Sequence, residues 1–156
     1  MNHTMRSLPV SPRRRALLAG AAVLPLLPAA VHAQENPEVA AYKAFVGSRA
    51  VREGRLVLDI PRIADNGNVV PVRIAMPGPF APGAEVATIH LFSEKNPVSQ
   101  MAVFHFPLPV ARVEVESRVR LAGTQRVAAV ATMADGTLYS AMADIVVTVS
   151  ACIDGT

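Results

Sequence analysis

The chain contains a single cysteine, Cys152, and no tryptophan. One thiol cannot form an internal disulfide, so the core has to hold without a covalent staple. Aromatic residues are scarce: Tyr42, Phe45, Phe80, Phe92, Phe104, Phe106 and Tyr139 are the full set. With no basic cluster in the mature region beside them, nothing points to nucleic acid. The sequence has no Gly-x-Ser-x-Gly, no phosphate-binding glycine loop and no paired carboxylates on a plausible cleft. Asp65-Asn66-Gly67 begins like a calcium loop, but the rest of that pattern is missing and the stretch reads as a turn. No catalytic residue, metal site or cofactor is therefore assigned.

What is present begins with a leader. Arg6 and Arg13-Arg14-Arg15 form a positive start, Ala16 to Ala30 is an apolar run broken by Pro25 and Pro28, and Val31-His32-Ala33 offers cleavage positions. Residues 1–33 are expected to be a cleaved signal peptide, too short to span a membrane, and no span is expected in the mature chain. Arg14-Arg15 followed by Ala16-Leu17-Leu18 resembles a twin-arginine export signal, with Arg13 where Ser or Thr is usual; a plain secretory signal is the alternative. Four of the 15 Lys and Arg and none of the 12 Asp and Glu lie in this leader, which leaves 11 against 12 and a mature net charge of −1. The basic character of the whole chain thus comes from the leader. The remaining 123 residues suit one domain with one core.

Asn36-Pro37-Glu38 has the order of a helix start, Val39, Tyr42, Phe45 and Val46 share a face, and Gly47 is a suitable stop. One helix of about three turns is expected there. After Gly54 the period becomes two. Leu56, Leu58 and Ile60 alternate with Val57 and Asp59, and Val70, Val72, Ile74 and Met76 alternate with Pro71, Arg73 and Ala75. Pro71 cannot donate to a ladder and argues for an edge or a bulge. Strands are expected over Val86–Phe92 and Met101–Phe106. In Ala111–Leu121, Val113, Val115, Val119 and Leu121 oppose Arg112, Glu114, Glu116, Arg118 and Arg120, so one side is core and the other water. Gln125–Met133 and Leu138–Val149 flank Asp135-Gly136, a strong hairpin signal. The result is an all-β chain of about seven strands, a two-sheet sandwich or, alternatively, a small closed barrel.

The cysteine lies just past the last strand. By parity Ile145, Val147, Val149 and Ala151 share one face, while Val146, Thr148, Ser150 and Cys152 share the other, which turns polar toward the end. If the strand frays near Ser150, the thiol rides on a short tail. Attack requires a thiolate, and the ordinary thiol pKa is about 8.5. Asp154 is negative, and no Lys, Arg or His lies between Arg126 and Thr156, so the local sequence does not activate Cys152. That suits a carrier whose thiol is activated inside another enzyme's site. His90 and His105 can meet only if the hairpin register places them on one face. With Met76, Met101, Met133 and Met142 they sketch a small copper-binding protein, the least favoured reading, since core packing accounts for methionines so dispersed.

Leu58-Asp59-Ile60-Pro61-Arg62-Ile63-Ala64-Asp65-Asn66-Gly67-Asn68-Val69-Val70-Pro71-Val72 resembles the SoxY family, the carrier subunits of periplasmic sulfur oxidation. So do Ile89-His90-Leu91-Phe92-Ser93-Glu94-Lys95-Asn96-Pro97, Val115 to Gln125, and Met133 to Tyr139, in collinear order. The resemblance implies an immunoglobulin-like β-sandwich, with one short N-terminal helix before it and a C-terminal arm after it. It implies a signal over 1–33, a carrier domain over 34–147 and an arm over 148–156. It further implies a periplasmic protein with no catalytic activity alone, conjugated to sulfur intermediates such as thiosulfate at Cys152. The implied partners are a SoxZ-like subunit and separate sulfur-oxidation enzymes.

The arm itself departs from the family pattern. Where the family has Gly-Gly-Cys-Gly-Gly, this chain has Ser150-Ala151-Cys152-Ile153-Asp154, bulkier and more charged. It resembles a variant group with an Ala-Ala-Cys-Ile-Glu arm, for which the thiosulfate cargo is not assumed. The alternatives are the same carrier with different cargo, and a non-covalent accessory module in which the thiol plays no part.

Overall fold

The computed structural model describes residues 39–151. The expected helix start at Asn36-Pro37-Glu38, the proposed signal peptide, and Cys152, Ile153 and Asp154 lie outside the described residues.

Helix α1 covers Ala40–Val46, seven residues rather than three turns, because Val39 before it is extended. Gly47 ends it at φ 58°, its N–H bonded to the Lys43 carbonyl at 2.8 Å, a conformation that favours glycine. Nine strands follow: β1 (Val51–Arg52), β2 (Val57–Asp59), β3 (Ile63–Asn66), β4 (Val70–Met76), β5 (Val86–Ser93), β6 (Gln100–His105), β7 (Val113–Val119), β8 (Gln125–Met133) and β9 (Leu138–Val149). They form two sheets, the arrangement of an immunoglobulin-like β-sandwich. One sheet runs β1-β9-β8-β5-β6, with β3 also pairing β9, and the other runs β2-β4-β7.

The sandwich core follows the alternation in the sequence. Val70, Val72, Ile74 and Met76 of β4 are buried, and they face Ile89 and Leu91 of β5, Val127, Ala129 and Ala131 of β8, and Ile145 and Val147 of β9. On β7, Val113 is buried while Glu114, Glu116 and Arg118 are exposed. The four-residue connection between β8 and β9 is tied by the Asp135 carboxylate, which accepts the Thr137 N–H at 2.9 Å.

Two features of this fold differ from the simple pattern. β4 is the middle strand of its sheet, not an edge, yet Pro71 is tolerated. β2 pairs only with Arg73–Ala75, so Pro71 has a strand neighbour, β7, on one side alone. β8 is buried on both faces, because Ala128 and Val130 pack with Val39, Val46, Phe92 and Leu138 in a second cluster beneath α1. A strand covered twice loses its alternation, which is why Val127–Ala131 is a continuous apolar run. Among the described residues no helix is long and apolar enough to cross a membrane.

Candidate functional site: the root of the C-terminal arm

β9 is paired along nearly its whole length. β8 runs antiparallel to Leu138–Ile145, and beyond that β3 runs parallel, with Ile63 opposite Val146 and Asn66 opposite Val149. Where β8 stops, the Thr124 hydroxyl continues the ladder: it accepts the Val147 N–H at 3.0 Å and donates to the Val147 carbonyl at 3.4 Å. On the other side the Thr148 hydroxyl donates to the Asp65 carbonyl at 2.9 Å. The last strand is therefore gripped close to the point where the cysteine follows.

Past Val149 the grip continues without a strand. The Gly67 N–H donates to the Val149 carbonyl at 2.8 Å, the Leu121 N–H donates to the Gly67 carbonyl at 2.8 Å, and the Ala151 N–H donates to the Leu121 carbonyl at 3.1 Å. Ala151 is buried at 5% exposure, whereas Ser150 before it is exposed. At Ala151 the backbone is hydrogen-bonded rather than frayed. Glycine at position 67 is required by space: a Cβ there would press on the Leu121 carbonyl and come within 2.8 Å of the Ala151 nitrogen and 3.0 Å of Val147 Cγ1. The approach to Gly67 is a side-chain turn, in which the Asn66 Oδ1 accepts the Asn68 N–H at 2.8 Å.

Leu121 is itself held from both flanks. The Asn96 amide donates to the Arg120 carbonyl at 2.7 Å and its Oδ1 accepts the Ala122 N–H at 3.0 Å. That Oδ1 also accepts the Gln125 amide at 3.2 Å. The Gln125 oxygen accepts the Lys95 N–H at 3.0 Å and the hydroxyl of Ser93, and Ser93 and Gln125 are both buried. Buried polar groups satisfied this fully act as a rigid brace. A chain of contacts thus runs from Ser93 and Gln125 through Asn96 and Leu121 to Ala151.

One ion pair lies across the β8–β9 ladder. The Arg126 guanidinium meets the Asp144 carboxylate, directly across β8 and β9, through two bonds of 2.8 Å. The bond from Arg126 holds the Asp144 carboxyl below the usual carboxylate range.

The histidines do share a face. His90 stands opposite Val103, and His105 stands opposite Thr88, two residues before His90. The His90 ring packs on Phe45 of α1 with centroids 4.3 Å apart, and its Nδ1 is buried without a partner. Burial pushes its pKa down, against a side-chain hydrogen bond shared with Gln100 that favours the protonated ring. The methionines do not converge on the pair: Met76 and Met133 are buried in the sandwich core, Met101 packs against it, and Met142 is 40% exposed on β9. Among the described residues no group of three or more His, Cys, Asp or Glu is placed to hold a metal.

A family model described as sulfur oxidation protein SoxY matches residues 42–152. The chain belongs to the SoxY family. The match begins inside α1 and ends on Cys152, so in this SoxY-family protein it includes the arm root and the residue that follows it. The setting is accordingly sulfur oxidation, in a family of carrier subunits. No curated relative matches the chain. Among solved structures the chain is similar to a superoxide reductase (neelaredoxin) from Ignicoccus hospitalis, at 16% identity and a TM-score of 0.47 over 60% of this chain and 80% of that one. It is also similar to a superoxide reductase from Nanoarchaeum equitans, at 12% identity and a TM-score of 0.47 over 62% and 100%. Likeness at that level says nothing about activity.

Of the arm residues expected from sequence, Ser150 and Ala151 are placed, one exposed and one buried. Sequence reasoning missed Gly67, Leu121 and Asn96 as holders of the arm root. Gly67 and Asn96 lie inside stretches that resemble the family, and each is followed or preceded by turn residues, but their partners are distant in the chain.

Proposed function

We propose that this SoxY-family protein is a periplasmic covalent carrier, exported by the twin-arginine type of leader over residues 1–33. A sulfur-containing intermediate is held on Cys152 and presented to separate enzymes, and the sandwich pairs with a SoxZ-like subunit. The observation that carries this reading is the family match, which runs to Cys152 and ends there. In support, the last described residues form an anchored platform from which the next residue is the chain's only thiol. The chain itself has no catalytic residue in this reading, and the thiol is activated where it is loaded, because Asp154 works against a thiolate and Arg126 is held by Asp144.

Loading with thiosulfate would form an S–S bond between Cys152 Sγ and the terminal sulfur, release the thiol proton, and give two electrons to an acceptor in the loading enzyme. Thiosulfate is the leading cargo. The Ala151-Cys152-Ile153-Asp154 arm, which resembles the Ala-Ala-Cys-Ile-Glu variant group, supports a second version in which a different sulfur compound is carried. Intact mass of protein taken from its native periplasm, before and after reductant, tests both. A reductant-sensitive mass gain on Cys152 supports carriage and its size names the cargo. A thiol found only free, or only as a glutathione adduct, opposes it. In the competing reading, a non-covalent accessory module, Cys152→Ser leaves the pathway running.

A further inference from the structure

β7 is an edge strand: it pairs with β4 on one side, and the sheet ends there. An unpaired edge is a template for another strand, and exposed charges ordinarily guard it. Here the guard matches itself. Along Glu114-Val115-Glu116-Ser117-Arg118-Val119-Arg120 the sign of charge inverts about Ser117. A second copy laid antiparallel, with Ser117 on the twofold axis, therefore puts Glu116 opposite Arg118 and Glu114 opposite Arg120. Val115 then meets Val119, both half-buried, on the core-facing side. An axis at Glu116 or Arg118 would set like charges face to face, and a slip of one residue in the pairing would set the valines against the charges. All four charged side chains are exposed. Glu116, Arg118 and Arg120 form no ion pair among the described residues, and Arg73 bonds Glu114 through Oε1 alone, at 2.7 and 3.0 Å.

Independently of the carrier reading, we infer that the free edge of β7 is a self-association surface, on which a second copy of this chain pairs about Ser117 and joins the two β2-β4-β7 sheets into one. A single pair of strands buries little, so the dimer is weak and reversible, and salt loosens it.

Sedimentation equilibrium of the purified protein reads the association, with reductant present throughout so that Cys152 cannot link two chains. A monomer–dimer equilibrium that weakens at high salt is expected. Glu116→Arg and Arg118→Glu each turn an attractive pair into a repulsive one, twice over because the axis repeats it. Each is expected to weaken association at least about tenfold. Mixed together, the two variants are complementary again, and a mixed dimer of wild-type strength is expected. A chain that stays monomeric at low salt, a dimer indifferent to both reversals, or a mixture that fails to associate overturns the inference. The register has its own test. Opposite residues of an antiparallel pair have Cα atoms about 4.5–5.5 Å apart, within the span of a disulfide. In a Cys152→Ser background, Ser117→Cys is therefore expected to link two copies under mild oxidation, whereas Arg112→Cys, which would lie opposite Ala122, is not. Equal linkage by both overturns the register. A Ser117→Cys chain recovered from the periplasm linked only to a different polypeptide would give the edge to another partner and overturn the homodimer.

Discussion

The N–H of Ala151 meets the carbonyl of Leu121 at 3.1 Å, and the side chain of Asn96 grips the backbone on both sides of that carbonyl. Ala151 is thus fastened to the same brace that fastens β5 to β8. Stability of the sandwich and anchorage of Ala151 become two readings of one set of hydrogen bonds.

Gln125 is the buried centre of that brace. Gln125→Leu keeps the volume but leaves the Ser93 hydroxyl and the Lys95 N–H without their acceptor. The expected loss is about 2 kcal/mol, measured as the shift in urea midpoint. A midpoint within error of the wild type would show that water replaces the amide at no cost.

His90 makes stability depend on pH. Its pKa is lowered in the fold by burial, with a smaller contribution from His105 and Arg49 and an opposing one from Gln100. The neutral ring is therefore the folded form. The stabilisation is fully present above the unfolded value of about 6.5 and is lost as pH falls from there through the folded value, at up to roughly 1.4 kcal/mol per unit. Urea midpoints at pH 7.5 and 5.5 are expected to diverge, and His90→Phe, which keeps the packing on Phe45, is expected to reduce that divergence. An unchanged divergence in the variant would place the acid sensitivity elsewhere.

Asp144 acts in a different window. Its carboxyl is held down chiefly by the hydrogen bond from Arg126, so its contribution is present above about pH 4 and is lost as pH falls through the folded value. The Asp144 side chain is 70% exposed and that of Arg126 only 11%. Solvent screening then limits Asp144→Asn to about 0.5 kcal/mol at pH 7, with a smaller effect in high salt. Thermal melts of both forms at low and high salt check this.

The legible parts of the fold are those whose burial is one-sided. Val70, Val72, Ile74 and Met76 each turn to the core as their period of two requires, and Asp135-Gly136 turns the β8–β9 hairpin. β1 and β3 escaped notice because two and four residues are too short to show a period, and both exist only as parallel neighbours of β9. β8 shows no alternation because α1 covers its outer face. For the site, the parity of β9 places Ile145, Val147 and Ala151 inward and leaves Ser150 exposed, but Val149, of the same parity as the buried three, is 61% exposed. That Gly67 and Leu121 would hold the segment ending at Ala151 is a tertiary fact: each makes two backbone bonds, all to segments remote in sequence, and no local pattern encodes them.

The central claim is that Cys152 bears cargo. Intact-mass measurement of the wild type and of Cys152→Ser, each recovered from the native periplasm during growth on a reduced sulfur compound, tests it most directly. The account predicts a mass gain on the wild type that reductant removes and that Cys152→Ser never shows, together with arrest of the pathway in that variant. A wild-type mass identical before and after reductant, with Cys152→Ser sustaining the pathway, would contradict it.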